Sequence, residues 1–387
     1  RRKEPTVDSP TPASARISII GAGPGGLTCA RILQQHGMAV TVYDRDPDAN
    51  SRNQGGSLDL HEDDGQLALR EAGLLAEFFA LARFEGQELR QMDPAGSVHA
   101  HHVPDERETA RPEIDRGQLR DLLLRSLAAG TVQWGRTLES VSGPADGPRT
   151  LTFTDRTAVE ADLVIGADGA FSRVRTAVSP ATPQYTGVSF LEARFDNMEI
   201  AHPELSELIG KGSTHAADGE RGLFAQRNSG GHMRVYIMQR VPVDWIAAKG
   251  LRPEDTEGIR AHLLGEYAAW SPQTLRMITD NDGAYVDRPI LALPVPHTWE
   301  HSSSVALLGD AAHLMPPLGV GVNLAMLDAS ELALSLVRSS TIDDAVRGYE
   351  KSMLPRSADI ARMLEGGAES LLAVPDPDKE RFGPAQP

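Results

Sequence analysis

The apolar positions near the N-terminus follow first one period and then another. Arg16 to Ile20, RISII, is a short β-branched run that predicts a buried strand. After a glycine-rich break, LTCARILQQHG puts Leu27, Ala30, Ile32 and Leu33 on or near one helical face, with Gly37 as the stop. AVTVYDRD then reads as a second strand closed by Asp44. Further along, Gly117 to Ala128 reads as a helix, and Leu151 to Phe153 and Val159 to Ile165 as strands. RVYIMQRV alternates, with Val235, Ile237 and Gln239 on one face and Arg234, Tyr236, Met238 and Arg240 on the other. One such face packs, and the other is free to line a pocket. VNLAMLDASELALSLV opens a helix, and Asp343 to Leu372 forms a long one that Pro355 should kink or break. Met363 and Leu364 fall where a pocket is within reach, although core packing is the better reading.

The break after the first strand is GAGPGG, in which Gly21, Gly23 and Gly26 give G-x-G-x-x-G. Gly21 permits the tight strand-to-helix turn, Gly23 has no side chain to block a pyrophosphate, and Gly26 lets helix and strand approach. The helix then offers free N–H groups and a partial positive charge to phosphates. Asp44 lies about 20 residues on, where an acid can accept from ribose hydroxyls. This motif alone does not separate NAD from FAD.

Length and charge narrow the setting. At 387 residues, two domains or one large domain with an insert are expected. The net charge of −16 argues against a nucleic-acid or anionic-membrane partner. A single cysteine, Cys29, excludes an intramolecular disulfide and suits a reducing, cytoplasmic setting. Residues 1–15 read as a disordered leader, and no apolar run approaches the ~18 residues of a membrane helix. His99, His101 and His102 read as a solvated loop rather than a metal site, and no metal is expected. A monomer or weak oligomer is the expectation.

Two later stretches decide the dinucleotide. ADLVIGADGAFSRVR carries Asp168-Gly169, Ser172 and Arg175, and GDAAHLMPPLGVGVN carries Asp310 and His313, Pro316-Pro317, then Gly319, Gly321 and Asn323. They resemble the second and third FAD fingerprints of the aromatic-hydroxylase flavoproteins. From Arg16 onward the chain resembles class A, single-component flavin monooxygenases. Through ILQQHG, VYDRD, GGSLDLHEDDGQLALREAGLL, RPEIDRGQLRDLLLRSL and GDAAHLMPP it most resembles the TetX-type tetracycline-inactivating enzymes.

The resemblance implies an α/β, Rossmann-like FAD-binding domain (16–181 and 295–341) with an inserted antiparallel-sheet substrate domain (182–294). A long C-terminal bridging helix and tail (342–387) would complete it. It implies flavin contacts from Asp44, Arg45, Arg52, Asp59, Arg116, Asp168 and Asp310. Arg45 and Arg52 read equally well as solvated side chains. An arginine in a first helical turn opposes the helix dipole, so Arg116 needs a partner such as flavin. Pro317 would lie beside the isoalloxazine. The amides at Gly321, Val322 and Asn323 would face the ring edge that becomes negative on reduction. His313 is expected to be framework rather than acid–base.

The implied reaction takes hydride from NAD(P)H, bound transiently, and O2, and hydroxylates a polycyclic aromatic or enolic small molecule through a C4a-hydroperoxyflavin. A tetracycline or related polyketide is the narrower expectation. Substrate-facing positions are Glu192, Ser213, Arg234, Pro317 and Gly319. Ser213 and Arg234 stand where TetX-type enzymes use an arginine and a histidine, so that grip is not reproduced. The turn PPLGVG, with Val320, is also shorter than the usual one. The alternatives are a flavin-dependent dehydrogenase or reductase and a ligand-sequestering flavoprotein without turnover.

Overall fold

In the computed structural model, which describes residues 10–51, 55–106 and 108–373, β1 (Ile17–Ile20) is buried along its whole length. It is flanked in parallel by β2 (Val40–Tyr43) and β11 (Leu163–Gly166). β17 (Val305–Leu307) and β7 (Val132–Gln133) extend this to a five-stranded sheet, ordered β17-β11-β1-β2-β7. Its apolar run is continuous because both faces are covered. The Pro24–Gln35 helix packs on it through Leu27, Ile32 and Leu33, and the Gly321–Arg338 helix crosses that helix.

Val159 to Ile165 is not one strand. β10 (Ala158–Ala161) pairs antiparallel with β9 (Arg149–Phe153), which pairs with β8 (Leu138–Ser142), while β11 joins the parallel sheet. The chain changes sheet at Asp162. Its N–H donates to the Arg16 carbonyl (2.9 Å), and its carboxylate takes the Arg16 guanidinium at 2.6 and 3.0 Å.

The second large sheet has the order β16 (Val286–Ala292), β12 (Gln184–Phe195), β15 (Met233–Arg240), β14 (Arg221–Arg227), β13 (Ser213–Ala217), β4 (Leu89–Met92), β5 (Val98–His102). It is antiparallel except at β13–β4. Strands β4 and β5 come from outside 182–294, so the expected boundary does not contain the sheet. The histidines expected on a loop lie in or beside β5, where His101 pairs with Glu88 and His102 with Glu108. The alternation of β15 is kept. Val235 and Ile237 join a core with Trp245, Tyr267 and Met277, and Met238 and Tyr236 face the other way. A short antiparallel pair, β3 (Ser57–Asp59) and β6 (Glu113–Asp115), forms a separate two-stranded sheet.

Pro355 does not break the last long helix, which runs unbroken over Ile342–Met363. Loss of one backbone hydrogen bond is offset by burial of Val346, Tyr349 and Met353 and by Arg356, which pairs with Asp328 and Glu331. The helix ends at Met363, and Gly366 (φ +75°) leads into a short turn of helix at Gly367–Ser370. Met363 points to solvent and Leu364 is buried. Part of the expected leader is ordered, for Pro12–Ser14 forms a helical turn with Pro12 buried. Residues 1–9 and the tail beyond 373 lie outside the described residues. Among the described residues no helix is long and apolar enough to cross a membrane.

Gly25 sits where the two central helices cross. A β-carbon there would meet Leu308 Cδ1 at 2.7 Å and the Ala325 carbonyl oxygen at 3.0 Å. Backbone cannot retreat as a side chain can, so Gly25→Ala should lower stability by roughly 1–3 kcal/mol. Urea unfolding of the variant checks this, and an unchanged midpoint would contradict the tight crossing.

Candidate functional site

The first glycine turn is built by close backbone approach. Gly21 has φ +107°, and a β-carbon on it would lie 2.2 Å from the Ala167 oxygen. One on Gly26 would lie 2.1 Å from the Gly21 oxygen, whereas one on Gly23 would have no atom within 4 Å. Gly23 is therefore the open wall of the turn. Asp44, buried at the end of β2, accepts from the Ala22 N–H (2.7 Å) and the Asp46 N–H (2.8 Å). The carboxylate expected to meet a ribose thus first holds the loop that a diphosphate would lie on. Arg120, which no motif singles out, is 2% exposed. It donates to the Ala22 carbonyl (3.0 Å) and the Ala49 carbonyl (2.9 Å) and lies over Trp134.

Asn323 joins the β3 loop to the third motif. It is fully buried. Its Oδ1 accepts from the N–H groups of His61 (2.9 Å) and Gly65 (3.2 Å), and its Nδ2 donates to the carbonyls of Asp59 (2.9 Å) and Gly319 (3.3 Å). Its side chain is a staple, while the backbone amides of Gly321, Val322 and Asn323 have no acceptor among the described residues. Gly319 (φ +83°) and Pro317 are exposed, and Asp59 Oδ1 lies 3.9 Å from where a Gly319 β-carbon would be. Val320, the residue at the shortened turn, is buried in the apolar cluster with Met315 and Leu318.

Asp168 is absorbed by its own turn, accepting from Ser172 Oγ (2.5 Å) and the Arg173 N–H (2.7 Å). Arg175 ties this turn to the third motif through the carbonyls of Asp310 (3.4 Å) and Ala311 (3.0 Å). His313 is framework, as expected. Its Nε2 meets Asp328 Oδ2 at 2.5 Å, and Asp328 also accepts from the Gly309 N–H (3.0 Å) and Arg356 (2.9 Å). Burial opposes both charges, yet their mutual attraction raises the histidine and lowers the aspartate.

Asp310 is open to the cleft yet crowded by protein. Desolvation raises its carboxyl above the ordinary range, against the pull of His313, Arg116 and Arg175. Arg116 opens the Arg116–Arg125 helix, and its N–H donates to the Gly56 carbonyl (3.0 Å). Its exposed guanidinium makes no hydrogen bond or ion pair among the described residues. Arg45 is exposed in the same way, and Arg52 lies outside the described residues.

Above these groups stands the cleft face of the second sheet. One row across four strands is Glu192, Tyr236, Phe224 and His215, set side by side by the register. The Tyr236 and Phe224 rings are stacked at 6.4 Å, and Phe190 lies 6.2 Å from Tyr236. The next row holds Arg234, Gln226 and Ser213. A β-carbon on Gly56 would come 2.7 Å from the Tyr236 hydroxyl, so this sheet rests directly on the β3 segment. Glu192 is buried between Arg234 (3.1 Å) and Arg288 (2.5 Å), so it is an ion-pair centre before it is a substrate contact. Tyr236 and Phe224 are not among the residues singled out from the sequence. The alternation of β15 already put Tyr236 on the face of Arg234, but only the register adds Phe224.

The FAD-binding-domain family model matches residues 14–278 and 292–362. The chain belongs to this family. It is 32% identical to the monooxygenase penA of Penicillium thymicola over 95% of this chain and 97% of that one. It is 29% identical to the monooxygenase asqM of Emericella nidulans, over 89% and 92%. Klebsiella pneumoniae HpxO, solved with FAD and uric acid, superposes with a TM-score of 0.76 at 24% identity, covering 92% and 88%. The tetracycline destructase Tet(51) superposes at 0.65 with 18% identity, covering 92% and 95%, a likeness of fold alone. The chain is an FAD-dependent monooxygenase of the class A group, and the narrower TetX-type likeness is not what these relatives single out.

His61 supplies a pH test. Burial lowers its basicity, but Asp59 (3.0 Å) and Asp64 (3.7 Å) outweigh that and raise it to about 9. A folded value above the free ~6.5 means stabilisation that is complete below pH ~6.5 and lost as pH rises through 9, up to about 3 kcal/mol. Stability of the wild type minus that of His61→Gln should therefore shrink across this window. A constant difference would show that folding does not raise the His61 pKa.

Proposed function

We propose that this monooxygenase uses NAD(P)H and O2 to hydroxylate a polycyclic aromatic or enolic small molecule, with FAD lying between the first glycine turn and the Pro316-Pro317 loop. The observation that carries this reading is the convergence of Gly23, Arg116, Asp310 and the unbonded amides at Gly321–Asn323 on one cleft beneath an aromatic sheet face. The donors and acceptors suit the group. Gly23 and the helix behind it would take the diphosphate. Arg116 offers an unpaired guanidinium, and Asp310 accepts from ribityl hydroxyls. The helix amides would meet the ring edge that gains charge on reduction. Pro317 and Gly319 would stand between ring and substrate.

When bound, FAD supplies the redox chemistry, taking hydride from NAD(P)H and activating O2 for transfer of one oxygen atom to carbon. The chain's task is to orient the substrate and exclude water. Tyr236 and Phe224, stacked side by side, would offer an aromatic wall to a ring system, backed by the buried cluster of Phe190, Met238, Leu318 and Leu371. Relatives named as acting on 3-amino-4-hydroxybenzoate and kynurenine support an aromatic substrate. Nothing at the sheet favours a tetracycline, since Ser213 offers no charge and Arg234 is already bound to Glu192.

Two measurements test the proposal. Asp310→Ala should weaken FAD binding by about 10- to 100-fold, the worth of hydrogen bonds to a charged group. Flavin absorbance per chain reads this out, and full retention would remove the assigned role. Turnover under ¹⁸O₂ with NADPH and a panel of hydroxylated bicyclic and polycyclic aromatics should raise the product mass by one labelled oxygen. Product formed without label would point to a dehydrogenase.

A further inference from the structure

We propose that Arg120 is a positioning residue for the cofactor. From beneath the first glycine turn it aims the Gly23 N–H at the diphosphate, and so sets affinity for the dinucleotide rather than for a flavin ring alone. This rests on the reading of that turn as the diphosphate seat. On an amphipathic helix an arginine ordinarily belongs to the solvated face. Arg120 is instead 2% exposed, with its Cζ 5.1 Å from the centroid of the Trp134 ring. A buried guanidinium is costly unless its donors are used, so what it binds is informative.

The turn is gripped from both sides at one residue. Asp44 accepts the Ala22 N–H at 2.7 Å, and Arg120 Nε donates to the Ala22 carbonyl at 3.0 Å. The Ala22–Gly23 peptide is trans, and in a trans peptide the C=O and N–H point opposite ways. Drawing the Ala22 carbonyl inward to Arg120 therefore turns the Gly23 N–H outward. That N–H has no acceptor among the described residues, and neither have those of Gly25 and Gly26 in the first helical turn. Gly23 is also the residue on which a β-carbon would find no atom within 4 Å. Free donors and open space coincide where a diphosphate would lie.

The other donors of Arg120 tie the turn to the loop after β2. Nη1 donates to the Ala49 carbonyl at 2.9 Å, and Nη2 reaches Asp46 Oδ2 at 3.4 Å. One planar fork thus spans two backbone segments, which a point-like ammonium could not hold at once. Charge acts in the same direction. Asp44 and Asp46 are both buried under this loop. Without Arg120, two carboxylates would lie beneath a turn that has to take two phosphates. Anchoring the helix would be served by Ala49 and Asp46 alone, and the bond to the Ala22 carbonyl is the one that bears on the seat.

The test is titration of the flavin-free full chain with FAD, riboflavin and ADP, by flavin fluorescence and by calorimetry. Urea unfolding of each variant runs alongside. Arg120→Met should weaken FAD and ADP by about 10- to 100-fold, as expected for lost hydrogen bonds to a charged group, and leave riboflavin within about threefold. Arg120→Lys keeps the charge but not the span, and should lose only about three- to tenfold on FAD and ADP. The lysine variant carries the test alone where Arg120→Met does not fold. FAD and ADP affinities kept in the variants overturn the proposal. So does a loss shared equally by riboflavin, which is what a merely structural role gives. A wild type that takes ADP but neither flavin would sink the flavin reading, while the ADP loss in the variants would still decide this one. Binding of none of the three overturns both.

Discussion

The site depends on backbone meeting backbone where no side chain is tolerated. Gly21 lies against Ala167, Gly25 against Ala325, and a β-carbon on Gly309 would touch that of Ala325 at 2.8 Å. These contacts bring together the ends of β1, β11 and β17 and the helix that follows the third motif. Three segments separated by more than a hundred residues each thereby share one small volume. Asp168, Asp310, His313 and Asn323 all hang from them. A shift of an ångström at this crossing would move the glycine turn, Asp310 and the Gly321 amides relative to one another.

Around that crossing, the buried charges mostly hold main chain. Asp44 holds the first turn, Asp168 the second, and Asp328 the third through the Gly309 N–H and His313. Arg120 and Arg175 do the same from the cationic side by binding carbonyls. A carboxylate in a fingerprint is easily taken for a ligand contact, yet here most are spent on preorganisation, the condition for a site that stabilises charge without rearranging. Arg116 and Asp310 differ because neither side chain is neutralised by a close ion pair, and both open on the cleft.

This division explains what could be read in the chain beforehand. The unit from Arg16 to Asp44 was legible because strand, turn and helix are each written in local periodicity. The paired prolines and Asp310 were legible as a pattern too. Strands β4 and β5 were not, since QMDPAGSVHAHH is polar and its partner β13 lies over a hundred residues away. The split of Val159–Ile165 turns on Asp162 reaching Arg16, a contact between distant residues that no window shows. Pro355 misled because propensity is local, whereas that helix is held by Tyr349 and Arg356 against its neighbours. Arg120 sits in an amphipathic helix, where an arginine looks like solvent face. Phe224 becomes a wall residue only once the β14–β15 register is known.

Cofactor and substrate are thus recognised by different physics. The flavin half relies on glycine turns and on acids committed to backbone amides, where the tolerances are tenths of an ångström. Almost any change there costs the site, so its pattern survives in a readable form. The half proposed for the substrate is a regular sheet whose side chains on the Tyr236 face can be exchanged without moving a strand. In that proposal, replacing Arg234 or Phe224 would alter what binds while leaving every ladder bond in place. A fold match therefore carries the cofactor securely and the substrate hardly at all. What remains informative about the substrate is the make-up of this particular sheet face, the stacked Tyr236 and Phe224 rings beside the Glu192 ion pairs.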